Sequence, residues 1–162
     1  MNPDFERLLS ALAEAGVHFI LVGGLAGVVH GSARATYDID VVYARDGDNL
    51  ARLAQALAPF DPYLRGAPRG LPFSLDVDTL RKGLNFTLTT SVGDIDLLGE
   101  ITGGGRHEDL LPKTVVVRVF GAEIRCLDLD TLISVKRAAG RPRDLEAIAE
   151  LEALREEPGG QR

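Results

Sequence analysis

The glycine pair Gly23-Gly24 and the carboxylate pair Asp38-Ile39-Asp40, with thirteen residues between them, constrain this chain more than any other feature. Val17 to Val22 is a short apolar, β-rich run that the glycines interrupt, and a second apolar run, Val41-Val42-Tyr43, follows the acids. The pattern predicts a strand, a tight turn, a short helix, a loop and a second strand. In an extended strand, side chains at i and i+2 share a face, so Asp38 and Asp40 aim at one point while Ile39 packs behind them. Like charges held that close repel, and a cation between them relieves the repulsion. Hard oxygen ligands suit Mg²⁺ or Mn²⁺, with water and substrate phosphate completing the shell. The arrangement points to phosphoryl or nucleotidyl chemistry.

Each half of the pattern is weak alone. Glycine between strand and helix lets backbone N–H groups approach a phosphate, but it also serves a plain turn needing positive φ. Asp-x-Asp recurs at Asp76-Val77-Asp78 and Asp128-Leu129-Asp130; Asp76-Val77-Asp78 reads as the solvated start of a helix. What separates Asp38-Ile39-Asp40 is its place at the head of an apolar strand. A third acid on an adjacent strand would complete a two-metal site. The candidate is Asp96, flanked by Ile95, Leu97 and Leu98, with Asp94 two residues earlier on the same face. An acid that interrupts a buried strand needs a partner or a metal.

The remaining elements follow from periodicity and punctuation. Pro3 to Ala15 reads as a helix stopped by Gly16, Leu25 to His30 as a short helix, and Gly31 to Tyr37 as a loop. Asp48 is the expected N-cap of a helix through Leu57. The Pro- and Gly-containing stretch Phe60 to Phe73 reads as a loop, either a mobile lid or a surface connection. Asp76 to Lys82 forms one or two helical turns. Asn85 to Thr90 and Asp94 to Leu98 form a hairpin, and Thr114 to Val119 with Glu123 to Leu127 a second one. Gly103-Gly104-Gly105 reads as a flexible break. Leu129 to Ala139 and Arg143 to Leu154 are helical. The result is an α/β (α+β) domain over residues 1–155, a small mixed β-sheet flanked by helices, with a frayed polar tail over 156–162.

Composition bounds the function classes. Hydrophobic residues make up 45% and charged residues 26% of the 162-residue chain, which is ordinary globular usage. The net charge of −6 weighs against a long nucleic-acid footprint, which is built on phosphate neutralisation. No apolar run reaches the roughly 18–20 residues needed to span a bilayer, and no signal peptide is apparent. The single cysteine, Cys126, reads as a buried strand side chain, and no Cys/His spacing suggests zinc. A cytoplasmic protein is the expectation.

Val22-Gly23-Gly24, the thirteen-residue spacer and Asp38-Ile39-Asp40-Val41 resemble the signature of the polymerase-β-type nucleotidyltransferase superfamily. The longer string Gly23-Gly24-Leu25-Ala26, His30-Gly31, Arg34, Thr36 and Asp38-Ile39-Asp40 is similar to small bacterial nucleotidyltransferases, including those of abortive-infection and toxin–antitoxin systems. Leu132-Ile133-Ser134-Val135-Lys136 and Gly140-Arg141-Pro142-Arg143-Asp144-Leu145 look like the closing helices of that group. The resemblance spans about Val17 to Leu154. It implies a nucleotidyltransferase fold and metal-dependent transfer of a nucleoside monophosphate from an NTP such as ATP, releasing pyrophosphate. Asp38, Asp40 and Asp96 would be the catalytic and metal-binding acids, and Mg²⁺ or Mn²⁺ the cofactor. Gly23 and Gly24 would cradle phosphate. Arg34 and Lys136 are further phosphate-binding candidates, with Arg141 or Arg143 assisting. Many relatives carry Gly-Ser at the first motif, whereas Gly24 offers no hydroxyl here. Gly31-Ser32 is excluded as the motif, because only five residues separate Ser32 from Asp38.

The expected acceptor is a hydroxyl of an RNA or tRNA end or of a protein. A cognate toxin or antitoxin partner and a homodimer fit that reading. A small hydroxylated molecule of the aminoglycoside kind is the alternative acceptor, and a non-catalytic nucleotide- or partner-binding module the alternative class. His30 reads as the end of a structural helix and His107 as a loop residue.

Overall fold

The computed structural model describes residues 3–157. The polar tail expected from residue 156 lies outside that range except for Glu156, which is the last residue of a helix, and Glu157.

Helix α1 (Phe5–Glu14) is capped by the Asp4 side chain, which accepts from Arg7 N at 3.1 Å. Its Leu8, Leu9 and Leu12 are fully buried, each contributing about 2 kcal/mol relative to exposure. Strand β1 (Phe19–Val22) leads into α2 (Gly23–Val29), which begins at the glycines themselves rather than at Leu25. Strand β2 (Asp38–Tyr43) has the bounds the sequence predicts. Helix α3 (Gly47–Leu57) is capped by Asp46, accepting from Asn49 N; Asp48 instead occupies the first turn, where its charge faces the helix dipole favourably.

The stretch read as a loop or lid is more ordered than its prolines suggest. It holds a 3₁₀ turn (Ala58–Phe60) and the two-residue strand β3 (Tyr63–Leu64), and it wraps around Tyr63. The Tyr63 hydroxyl donates to Pro68 O and accepts from Leu71 N, Arg69 lies over its ring, and Phe73 meets it edge-on. Asp76 caps α4 (Val77–Lys82), as expected for that acid pair. Strands β4 (Asn85–Thr90) and β5 (Gly93–Leu98) form the first hairpin. The glycine-rich break is also ordered: β6 (Glu100–Ile101) pairs antiparallel with β7 (Gly105–Arg106), and Gly104 N donates to Ile101 O.

His107 is not a loop residue. It opens α5 (His107–Leu110) and is buried, which pushes its pKa down. Strands β8 (Thr114–Val119) and β9 (Ala122–Leu127) form the second hairpin. Asp128 caps α6 (Leu129–Ala139), and α7 (Pro142–Glu156) follows after Gly140.

The main sheet runs β3-β4-β5-β2-β1-β9-β8. It is mixed: β2 pairs parallel with β5 and β1 with β9, and the other joints are antiparallel. The central strands are the most apolar. Ile20, Leu21, Ile39, Val41, Val42 and Tyr43 have no exposed surface, as two-sided burial requires. Helix α1 packs with α3, while α2 lies against β1, β2 and α6, and α6 packs on α7. Cys126 is buried in β9, and burial pushes its thiol up to about 12.

One buried polar residue joins the helix layer to the ends of the central strands. Asn49, fully buried on α3, accepts from His18 N at 2.7 Å and donates to His18 O at 3.1 Å and Ala44 O at 2.8 Å. Truncating it removes the side-chain partner of His18 N, His18 O and Ala44 O and leaves a buried void. Asn49→Ala is therefore expected to cost about 2–3 kcal/mol, a fall in Tm of roughly 5–10 °C. A thermal melt within about 1 °C of wild type would contradict this role for Asn49.

Candidate active site

The parallel pairing of β2 with β5 builds the site. Its register sets Asp38 opposite Asp94 and Asp40 opposite Asp96, so two Asp-x-Asp pairs lie as two rungs of one ladder. Carboxylate oxygens of Asp38, Asp40 and Asp96 all lie within 4.8 Å of one another. These acids line a cleft of about 800 Å³ bounded by the α2 turn, the 31–37 loop, the β6 region and the facing sides of α6 and α7.

The two glycines are required for different reasons. Gly23 has φ +70°, and a Cβ there would lie 2.0 Å from Asp40 Oδ2. Both backbone and space demand glycine. Gly24 has no such backbone demand, but a Cβ would lie 2.9 Å from Thr36 Oγ1. The Thr36 hydroxyl, which donates to Asp38 O at 3.1 Å, takes up the space a serine would need at position 24. Gly23→Ala is expected to destabilise the fold by about 2 kcal/mol or more, and Gly24→Ala by clearly less. Equal losses in denaturant melts of the two variants would refute the distinction.

Ser32, set aside on spacing, is a fastener. Its hydroxyl donates to Glu150 Oε1 at 2.6 Å, and Ala33 N donates to Glu150 Oε2 at 3.1 Å. Arg34 lines the cleft but pairs with Glu146 at 3.5 Å, with both side chains substantially exposed. The 31–37 loop is thus tied to α7. His30 caps the end of α2, with its Nε2 2.7 Å from Leu127 O, consistent with a structural role.

One residue of the site has no signal in the sequence. Arg65 follows β3, continues its ladder by donating N–H to Thr87 O, and turns its guanidinium onto the acids. Nη2 donates to Asp96 Oδ1 at 2.8 Å and Leu88 O at 2.7 Å. Nε makes an ionic contact of 3.2 Å with Asp94, without hydrogen-bond alignment, and Nη1 lies 3.9 Å from Asp38.

Comparison with solved structures places this architecture. The chain superposes on the lincosamide antibiotic adenylyltransferase LnuA, solved with lincomycin bound, with a TM-score of 0.61 and 16% identity, covering 95% of this chain and 99% of that one. The chain has the nucleotidyltransferase fold. The antibiotic-resistance factor ANT(2")-Ia, in complex with adenylyl-2"-tobramycin, matches with a TM-score of 0.54 at 16% identity over 93% of this chain and 92% of that one. An antigenic nucleotidyltransferase-like protein from Paracoccidioides brasiliensis matches with a TM-score of 0.57 at 13% identity, covering 92% of this chain and 73% of that one. No protein-family model matches the chain, and no curated protein matches it by sequence. Among the described residues, no helix is long and apolar enough to cross a membrane.

Within this nucleotidyltransferase fold the electrostatics are uneven. Burial, then repulsion from Asp38, then a hydrogen bond with Asp96 push Asp40 up to about 8. Asp38 is also raised, by burial and by Asp96, with Arg65 opposing. With Asp38 and Asp96 beside it, the Asp40 carboxyl belongs to an all-oxygen donor set that fits Mg²⁺ or Mn²⁺. Lys136 lines the cleft from α6; burial lowers its pKa, while Asp144 and Asp40 oppose. Arg141 is engaged by Asp144, with Nε at 2.6 Å and Nη2 at 3.1 Å, in the cap of α7. The charge of Arg143 reaches Asp38.

The raised Asp40 makes a signed prediction. An unfolded Asp releases its proton near 3.8, whereas the folded one holds it to about 8. Between those values the folded protein binds more protons, so metal-free stability falls as pH rises through this window. Asp40→Asn removes the ionisable group. It is expected to raise the metal-free Tm at pH 8 by about 2 °C or more, with the gain shrinking towards pH 5. A gain independent of pH, or none, would count against this environment for Asp40.

Proposed function

We propose that this protein is an NTP-dependent nucleotidyltransferase that transfers a nucleoside monophosphate to a hydroxyl acceptor. The observation that carries the reading is the trio of carboxylate oxygens, within 4.8 Å of one another, beside the Gly23-Gly24 turn on a nucleotidyltransferase fold. The acceptor oxygen bonds to the α-phosphorus, the bond to the β-phosphate breaks, and pyrophosphate leaves. Asp96 takes the acceptor proton as that bond forms. Backbone N–H groups at Gly23 and Gly24 approach the phosphates where no Cβ intervenes. Lys136, projecting into the cleft from α6, neutralises triphosphate charge, with Arg143 assisting. Arg34 and Arg141 steady phosphate only by leaving Glu146 and Asp144. Held by Asp38, Asp40 and Asp96, Mg²⁺ or Mn²⁺ would supply charge neutralisation and a template for the phosphate oxygens.

For the acceptor, we favour a small hydroxylated molecule over an RNA end or a protein. Two observations support the preference. The match to LnuA covers 99% of that chain, so a fold of this extent accommodates a small acceptor without a further domain. The cleft lining also includes Glu100 beside the acids of β2 and β5, and the chain carries a net charge of −6, which repels a nucleic-acid backbone. A macromolecular acceptor, as in a toxin–antitoxin pair, is the competing outcome.

The test incubates the protein with each α-³²P-labelled NTP, Mg²⁺ or Mn²⁺, and in separate arms an aminoglycoside and lincosamide panel, total tRNA and cell protein. Label on a small acceptor with wild type but not with Asp40→Ala supports the reading. Label on tRNA or protein reassigns the acceptor. No label in any arm, with no Tm shift on adding metal and NTP, overturns the enzyme reading.

A further inference from the structure

Four acids share one face of β2 and β5, yet they are not equivalent. Asp38, Asp40 and Asp96 bring oxygens together; Asp94 stands outside that trio although it is the register partner of Asp38. The difference traces to Arg65. Its Nη2 donates to both Asp96 and Leu88 O, Asp94 lies against Nε, and Nη1 is 3.9 Å from Asp38. Its contact with Asp96 falls on an acid of the trio, so Arg65 holds Asp96 from one side while Asp38 and Asp40 lie within 4.8 Å. The support behind Arg65 is rigid, because its own N–H extends the β3–β4 ladder through Thr87 O and the following residues wrap around Tyr63. Lysine could supply the charge but not the planar fork that spans these acceptors.

We propose that Arg65 is a positioning residue that fixes Asp96 for metal binding, and that Asp94 is the anchor of Arg65 rather than a fourth ligand. The proposal rests on the metal-site reading above. It runs against simple electrostatics: if Arg65 acted only as a nearby positive charge, removing it would tighten cation binding.

The experiment measures Mn²⁺ binding to the full chain by electron paramagnetic resonance, with and without a non-hydrolysable NTP, alongside thermal melts without metal. Arg65→Met is expected to weaken Mn²⁺ binding about tenfold and to lower kcat more than it raises the KM for NTP. Asp94→Asn should weaken binding in the same direction, and the double variant should be no worse than Arg65→Met alone, because both act through one contact. Asp96→Asn should lose the site. Arg65→Lys is expected to recover the metal-free Tm without recovering Mn²⁺ affinity or kcat, which a purely structural role would not produce. Should Arg65→Met fail to fold, Asp94→Asn and Arg65→Lys carry the test.

Unchanged or tighter Mn²⁺ binding in Arg65→Met overturns the proposal, as does Asp94→Asn abolishing binding as fully as Asp96→Asn. If wild type itself binds no Mn²⁺ in either condition, the metal-site reading has failed and the proposal falls with it. That outcome is distinct from wild-type binding that survives the loss of Arg65.

Discussion

Parallel, in-register pairing of β2 with β5 is the constraint to which the rest of the site responds. Strand period and ladder register set Asp38 and Asp40 side by side with Asp94 and Asp96, all partly buried, with Asp40 the most desolvated. Such a cluster is costly unless charge is removed or balanced. The protein does both. Asp40 is held protonated to about 8, and Arg65 is brought in from a separate strand to face the other three acids. A fold without a use for concentrated negative charge would have reason to discard it.

The same crowding explains the glycines. Helix α2 starts directly off β1, and its first turn passes so close to β2 that residue 23 touches the Asp40 carboxylate and residue 24 the Thr36 hydroxyl. The 31–37 loop that returns the chain from α2 to β2 is secured to α7 through Ser32 and Glu150, so α7 helps fix the approach to the acids. The closing helices contribute to the cleft wall as well as to the core, with Lys136 on α6 and Asp144 on α7 both lining it.

Local pattern made much of this legible. Strand β2, both hairpins, the helical turn ended by Gly83 and the grouping of Asp38, Asp40 and Asp96 were readable, because each depends on period-2 alternation, turn chemistry or a short spacing. What escaped depends on pairing across long separations. Tyr63–Leu64 becomes a strand only because β4 offers a free edge, and its prolines and glycines hide that in the sequence. Arg65 was missed with it. The β6–β7 pair was lost for a related reason, since three consecutive glycines resemble slack while they serve a tight turn. Asp46 and Asp48 differ by two residues, and both suit the start of a helix; which one caps is set by the clamp of Asn49 on the strand ends.

The distribution of cations bears on how the donor would bind. Among the described residues lining the cleft, Arg141 pairs with Asp144 and Arg34 with Glu146, while the charges of Lys136 and Arg143 act on Asp40 and Asp38. A triphosphate carries more negative charge than two such side chains offset, and it would sit against carboxylates that already repel one another. On the proposed reaction, nucleotide and divalent cation therefore favour each other's binding, since each removes part of the charge that opposes the other. Arg65, by holding Asp96 in place before either arrives, spares the assembling site the cost of ordering that acid.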